Sequence, residues 1–286
     1  MKKTIAILGL ICLLLGGCAA EERPAQIAAT TLPVYEFTAF LCEGTGLAVT
    51  RIVTENVSCL HDYSLSVSQM RAVEQAEVVV TSGAGLEDFL MDVIENKPLI
   101  DSSEGIALLG CDHEHDHDHA HEQDAHIWLS PENAVVMAEN ICAGLKARYP
   151  EHSDIFDKNA EKLLQKIAKL ESYGKEQLRA LSCRELITFH DGFAYFAECF
   201  DLTILRAIEE ESGSEASASE LIELIELTRK HDLPAVFTER NGSASAAAIL
   251  CSETGAKEFS LDMAMSGDSW FDAMYHNIDT VKEALG

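Results

Sequence analysis

The chain has 286 residues, 47% of them hydrophobic, and a formal net charge of −27 that results from 21 basic and 48 acidic side chains. The hydrophobic content is sufficient for folded cores and excludes a disordered chain, and the length predicts one large or two ordinary domains. The negative charge excludes nucleic-acid binding, because contacts with phosphate need Lys and Arg, and it fits a protein that handles cations.

The N-terminus has the pattern of an export signal. Two lysines precede an apolar run over residues 5–15, which is too short to span a membrane. The run ends in the sequence LGGC, which is similar to a bacterial lipobox with Cys18 as the lipidated cysteine. We therefore expect a signal peptide over residues 1–17, followed by a lipidated cysteine and polar tether over residues 18–30.

Strand-like runs then alternate with amphipathic helical stretches. The first group has predicted strands at 26–31, 48–54, 77–81 and 98–101, and predicted helices at 34–46, 66–76, 86–96 and 131–149. A long amphipathic stretch covers 153–181. The second group has predicted strands at 185–189, 202–207, 235–238 and 257–261, and predicted helices at 192–199, 219–231, 244–254 and 270–285.

This alternation predicts an α/β fold with two βα lobes, because strands that alternate with helices form parallel sheets covered by helices. The N-terminal lobe is expected over residues 31–150 and the C-terminal lobe over 183–286. One long rigid helix over residues 151–182 is expected to join them.

A charged loop over residues 111–123 interrupts the first lobe. Its histidines alternate with acidic residues, a composition that is typical of segments that bind several divalent metal ions. We predict an auxiliary metal-binding loop, and a solvated linker is the alternative. The histidines are His113, His115, His117, His119 and His121.

Another group of histidines lies just beyond the ends of predicted strands. These are His61, His126 and His190, and Asp262 similarly follows the strand at 257–261. Open α/β sheets bind ligands at the carboxyl ends of their strands, so these side chains could converge in the cleft between the lobes. Three imidazoles and one carboxylate suit a tetrahedral Zn²⁺ ion. A structural role is the alternative for each histidine taken singly.

Several motifs, in this order and spacing, together resemble one family. They are HDY at 61–63, SGAGLEDF at 82–89, HIWL at 126–129, FHDGFAYF at 189–196 and FTE at 237–239. With the lipobox, they resemble the zinc/manganese-binding lipoproteins of bacterial ABC importers, the ZnuA/TroA-like group. The resemblance covers nearly all of the mature chain, and the His/acid loop is similar to that of the zinc-preferring branch.

The resemblance implies a receptor that captures Zn²⁺ outside the membrane and delivers it to an ABC permease. It implies His61, His126 and His190 as ligands, with Asp262 at the fourth position. Manganese members of the family carry a glutamate where this chain has His190, so Zn²⁺ is favoured over Mn²⁺. A manganese or iron receptor of the same family is the first alternative.

The resemblance leaves the fourth ligand and some details of the setting open. Water, Glu239 or Cys59 could replace Asp262 as a ligand, and Asp124 and Glu239 are candidate partners for ligand imidazoles. We expect a monomer, anchored by its lipid to the outer face of the cytoplasmic membrane, or to its periplasmic side if the host has an outer membrane.

Two other classes of function compete with the receptor. A zinc hydrolase would need an open coordination position and a general base. The sequence has no GxSxG, and its HExxH match at 113–117 lies within the part of the His/acid loop, residues 112–119, that has no apolar residues to form the helix that this motif needs. We therefore expect no enzymatic activity. A surface zinc buffer or adhesin would instead use only the His/acid loop at 111–123.

Overall fold

The computed structural model describes residues 25–55, 60, 63–110, 123–208, 217–240 and 245–286. Within these ranges, two parallel β-sheets with flanking helices form two lobes, and a long helix lies between them in sequence. The predicted α/β fold with two lobes is therefore confirmed. The alternation of elements could be predicted because strands with buried apolar runs and helices with one apolar face have different periods.

The described strands of the N-terminal lobe lie in the order β2-β1-β3-β4 and pair in parallel. They are β1 (Ile27–Ala29), β2 (Val49–Arg51), β3 (Val78–Thr81) and β4 (Leu99–Asp101), and the helices of this lobe are α1 (Leu32–Cys42), α2 (Val67–Gln75), α3 (Met91–Ile94) and α4 (Pro131–Arg148). All residues of β1 are buried between its neighbours. Residues 27–29, at the end of the predicted tether over 18–30, belong to this inner strand.

Local capping explains where helices of this lobe begin. The Ser66 hydroxyl accepts the Gln69 N–H, and the Gln69 side chain accepts the Ser66 N–H, so that α2 begins with a reciprocal cap. Helix α4 begins at Pro131, whose missing N–H is harmless in a first turn, and the Ser130 hydroxyl caps the N–H of Asn133.

The C-terminal lobe repeats the topology of the first. Its described strands lie in the order β6-β5-β7-β8 and also pair in parallel. They are β5 (Glu185–Thr188), β6 (Thr203–Ala207), β7 (Ala235–Glu239) and β8 (Lys257–Leu261), and the helices are α6 (Ala194–Cys199), α7 (Ala218–Lys230), α8 (Ser245–Thr254) and α9 (Trp270–Leu285).

Helix α5 (Ser153–Gln177) is the predicted long helix, with 25 residues. It ends at Gln177, whereas the sequence pattern predicts a helix over residues 151–182. The guanidinium of Arg184 explains the early end, since it donates to the carbonyls of Leu178 at 2.8 Å and Arg179 at 3.2 Å, just beyond the last turn. These bonds satisfy carbonyls that a longer helix would pair internally.

Helix α5 packs against both lobes. Near its start, the Asn159 amide donates to the Leu41 carbonyl at the end of α1, at 3.0 Å. Near its end, Gly174 contacts the ring of Phe200 so closely that a Cβ atom there would lie 2.3 Å from a ring carbon. No helix within the described ranges, α5 included, is both long and apolar enough to cross a membrane.

Helix α9 of the C-terminal lobe begins against α1 of the N-terminal lobe. The Glu36 carboxylate accepts the backbone N–H of Trp270 at 2.5 Å and the hydroxyl of Ser269 at 3.1 Å. The Trp270 ring packs edge-on against Phe37, with 5.0 Å between centroids. Burial raises the pKa of Glu36. Phe37 and Trp270 belong to one continuous apolar core that contains side chains from both lobes.

Candidate metal centre

Two of the predicted ligands come together from different lobes. His126 precedes the 3₁₀ turn at Ile127–Leu129, and His190 follows β5 at the carboxyl end of that strand. Their ring centroids are 5.3 Å apart and the rings are nearly perpendicular, at 88°. The side chains are largely buried, with 9% and 13% of their surfaces exposed. Two imidazoles therefore share one small region where the lobes meet.

Asp124 holds the ring of His126 in one orientation. Its Oδ1 atom accepts the backbone N–H of His126 at 2.8 Å and lies 2.7 Å from the ring Nδ1. A carboxylate only accepts, so the network assigns the proton to Nδ1 and the lone pair to Nε2. An imidazole arranged in this way can donate its Nε2 lone pair to a metal ion.

The surroundings of His190 are similar. Glu239, at the end of β7, has its Oε2 atom 3.6 Å from the Nδ1 atom of His190, within ion-pair range. Gly192 allows the chain to pass close to the ring, because a Cβ atom there would lie 2.8 Å from His190 Cδ2 and 2.6 Å from Met263 Cε. Asp124 and Glu239 were predicted only as candidate partners, and each lies beside one of the predicted ligand imidazoles.

Asp262 lies just beyond β8 and is engaged by other groups. Its Oδ2 atom accepts a hydrogen bond from Arg240 Nη1 at 2.9 Å, and its Oδ1 atom accepts the Ala264 N–H at 2.8 Å. The next residue, Met263, is the one whose methyl group lies beside Gly192 and His190. Asp262 is thus adjacent in sequence to a residue that packs against Gly192, and its contact with Arg240 was not predicted from the sequence.

The other predicted site residues lie outside the part of the chain that the structure describes. These are His61, Cys59, Cys18 and the five histidines of the 111–123 loop. Across the described ranges, no three His, Cys, Asp or Glu side chains form a group that could hold a metal ion. The described residues thus bring His126 and His190 together and do not gather Asp262 into a group of three with them.

Buried hydrogen bonds join the two lobes close to His126. Trp128 donates from Nε1 to the carbonyl of Met263 at 2.7 Å, and its own carbonyl accepts Nε1 of Trp270 at 3.0 Å. The hydroxyl of Tyr195 donates to the carbonyl of Asp124 at 2.8 Å. Sequence reasoning missed these contacts, although Trp128 and Tyr195 lie within the HIWL and FHDGFAYF motifs.

Comparison with known proteins matches the chain to a family model and to metal-binding relatives. The family model for the zinc-uptake complex component A, periplasmic (ZnuA), matches residues 27–284. The zinc-binding lipoprotein AdcA of Streptococcus pneumoniae (strain ATCC BAA-255 / R6) is 28% identical over 307 aligned positions, which cover 99% of this chain. The manganese-binding lipoprotein MntA of Halalkalibacterium halodurans is 26% identical, with 98% of this chain and 97% of MntA covered.

A solved structure also matches the fold. The crystal structure of ZnuA superposes with a TM-score of 0.80 at 28% identity, and the match covers 92% of this chain and 100% of that chain. The present chain spans 61% of the length of AdcA, so the relative has a further region that the match does not include.

Proposed function

Because the chain belongs to the family of the zinc-uptake complex component A, periplasmic (ZnuA), we propose that it is an extracytoplasmic receptor that binds Zn²⁺ and delivers it to an ABC-type permease for import. Proteins of this family are solute-binding receptors of metal importers and not enzymes. The ion is the cargo of the receptor, and the protein's task is to bind it selectively and release it.

The observation that carries this proposal is the pair of imidazoles from the two lobes. His126 and His190 lie together, and each has a carboxylate near its Nδ1 atom, from Asp124 and Glu239 respectively. Neutral imidazoles with supported orientations are good ligands for first-row divalent ions. His61 is the proposed third ligand, with Asp262 as the proposed fourth.

The chemistry of His190 favours zinc over manganese. Relatives of this chain include proteins named for each of the two metals. Imidazole is softer than carboxylate and suits Zn²⁺ better than Mn²⁺, which prefers oxygen ligands. A manganese or iron receptor is the alternative within the family.

The N-terminal region and the loop complete the proposal. We propose that Cys18 carries the lipid anchor of an exported lipoprotein, in keeping with the lipoprotein names of relatives. We propose that the loop over 111–123 binds additional metal ions near the receptor site. If the loop supplied all of the metal binding, the protein would be a surface zinc buffer or adhesin.

The proposal is tested by replacing His190 with glutamate. Because a carboxylate is a harder ligand than imidazole, His190→Glu should shift the ratio of Zn²⁺ to Mn²⁺ affinities toward Mn²⁺ by about tenfold or more. The measurement is competition titration of the purified chain with both ions. The matched control is His152→Glu, which changes a half-buried histidine in the 3₁₀ turn before α5. A ratio that is unchanged in His190→Glu would contradict the assigned role.

Deletion of residues 111–123 separates the receptor from the buffer. The receptor should retain one tightly bound zinc ion per chain after the deletion, as determined by elemental analysis. Loss of nearly all binding would instead favour the buffer.

A further inference from the structure

Arg240 and Asp262 meet at the edge of the C-terminal sheet that carries the proposed metal centre. Each follows the last residue of a strand, and β7 and β8 pair in parallel with Glu239 opposite Leu261. The backbone N–H of Arg240 extends this ladder by donating to the Leu261 carbonyl at 2.9 Å. The adjacent strand ends therefore direct the guanidinium and the carboxylate to the same place.

The oxygens of Asp262 have different roles. Its backbone is fixed by the buried Asn277, whose side chain exchanges two hydrogen bonds of 2.7 Å with the N–H and carbonyl of Asp262. Its Oδ1 atom accepts the Ala264 N–H within the following turn. Its Oδ2 atom is therefore the one that can face a cation, and Arg240 Nη1 lies 2.9 Å from it.

We propose that Arg240 is an internal competitor of the cargo ion for Asp262 and thereby sets the affinity and release rate of the metal centre. This inference rests on the proposed function, with Asp262 as the carboxylate ligand. A guanidinium 2.9 Å from Oδ2 repels a divalent ion on the same oxygen and withdraws part of its negative charge, so binding through Asp262 is opposed until the guanidinium moves away. The Arg240 side chain is 61% exposed and can move into water, whereas Asp262 is only 11% exposed and stays in place.

The asymmetry in exposure makes the competition reversible. A charge-assisted hydrogen bond is stronger than a neutral one, but an ion pair with one exposed partner is weakened by solvent. The guanidinium can therefore yield to a metal ion and return when the ion leaves. Removing Arg240 should tighten zinc binding by about three- to tenfold, which lies between the effects typical of exposed pairs and of charged hydrogen bonds.

The test is a double-mutant cycle on the full chain with zinc alone as the ligand. Arg240→Gln should lower the zinc Kd by about three- to tenfold and slow zinc dissociation. Asp262→Asn keeps an oxygen for the Ala264 N–H and removes the charge for which Arg240 competes. In the Asp262→Asn background, Arg240→Gln should change the Kd by less than about twofold. Circular dichroism of all four proteins checks that each is folded.

The matched control is Arg229→Gln. Arg229 lies in the same lobe and pairs with Glu253 at 3.8 Å, and both side chains are 57% exposed. This variant should bind zinc as the native chain does. An effect of Arg229→Gln equal to that of Arg240→Gln would show that any loss of positive charge on this lobe tightens binding, and would overturn the proposal.

The remaining outcomes separate this inference from the proposed function. If Arg240→Gln leaves zinc affinity unchanged, or if its effect persists fully in Asp262→Asn, the competition is refuted. His126→Ala tests the receptor site itself, because loss of a ligand imidazole should abolish tight binding. Loss of zinc in His126→Ala with no effect of Arg240→Gln would refute only the role of Arg240, whereas retained zinc in His126→Ala would refute the proposed site.

Discussion

Replacing Asp124 with alanine tests whether the protein orients His126 before a metal ion binds. In the native chain, one oxygen of Asp124 accepts both the backbone N–H of His126 at 2.8 Å and the ring Nδ1–H at 2.7 Å. Both residues are buried, so water cannot readily replace the lost acceptor. We expect the ring of His126 to lose its fixed orientation and its preferred tautomer in Asp124→Ala.

The magnitude follows from what the two hydrogen bonds do. Carboxylates that orient ligand imidazoles typically contribute about 10- to 100-fold to metal affinity, which is about 1.4 to 2.7 kcal/mol. Asp124→Asn keeps an acceptor oxygen for both donors but loses the charge that makes the imidazole more basic. We therefore expect a smaller loss in Asp124→Asn, about three- to tenfold, and the full loss in Asp124→Ala.

The assay is zinc titration against a competing chelator, combined with urea unfolding of the same proteins without zinc. Asp124→Ala leaves the His126 backbone N–H without an acceptor, which costs about 1–3 kcal/mol of unfolding free energy. Stability alone therefore cannot distinguish a ligand-orienting role of Asp124 from a structural one. The zinc affinity of the folded variant distinguishes the two roles.

A third histidine–carboxylate pair, away from the proposed metal centre, supplies the matched control. His231 Nδ1 lies 2.9 Å from Glu185 Oε2, at the first residue of β5 and thus at the opposite end of that strand from His190. Glu185→Ala removes the same kind of contact and should leave zinc affinity unchanged. A Kd of Asp124→Ala within about twofold of the native value would refute the orienting role of Asp124, since orienting partners typically contribute at least tenfold.

Two further perturbations address the lobe interface and a buried acid. Trp128→Phe removes the 2.7 Å hydrogen bond to Met263 and should lower the unfolding free energy by about 2–4 kcal/mol and the zinc affinity several-fold. The control Phe156→Leu, also in the core, should lower stability alone. Equal zinc affinities of Trp128→Phe and Phe156→Leu would contradict a link between the lobe interface and zinc binding. Burial raises the pKa of Glu87 to about 7, so between about pH 4.5 and 7 the folded chain binds one more proton than the unfolded chain. The unfolding free energy should therefore rise as the pH falls through that window, by about 3 kcal/mol in total. Glu87→Gln should remove this slope in urea unfolding at pH 5 and pH 8, and an unchanged slope would refute the assignment to Glu87.

Much of the fold could be predicted because the relevant signals are local. Buried strands such as β3 appear as short apolar runs, and α2 has both an apolar stripe and a reciprocal cap in its sequence. The helix predicted over 86–96 was less accurate, since the chain forms a 3₁₀ turn and the short α3 there. The carboxylate of Glu87 accepts the N–H groups of Ser82 and Gly83, and this contact holds the preceding residues in a turn.

The proximity of His126 and His190 in the proposed metal centre was predictable in part for a similar reason. Parallel strands present their carboxyl ends at one edge, so a histidine directly after a strand, such as His190, is a candidate ligand from sequence alone. The pairing of Arg240 with Asp262 could not be predicted, because it depends on the register of β7 against β8. The bond between Trp128 and Met263 joins residues 135 positions apart and has no local signal.

The interlobe contacts bear on how a cargo ion could leave. Separating the lobes at the imidazole pair would break the bonds of Trp128 to Met263, of Trp270 to Trp128 and of Tyr195 to Asp124, all with buried partners. At about 1–3 kcal/mol each, this costs on the order of 3–9 kcal/mol. Displacing the guanidinium of Arg240 from Asp262 costs about 0.6–1.4 kcal/mol, the equivalent of the three- to tenfold change in Kd expected above. For the proposed receptor, movement of side chains at the strand ends of the C-terminal lobe would therefore be a less costly route for ion exchange than opening the lobes. Helix α5, which packs against both lobes, further opposes their separation.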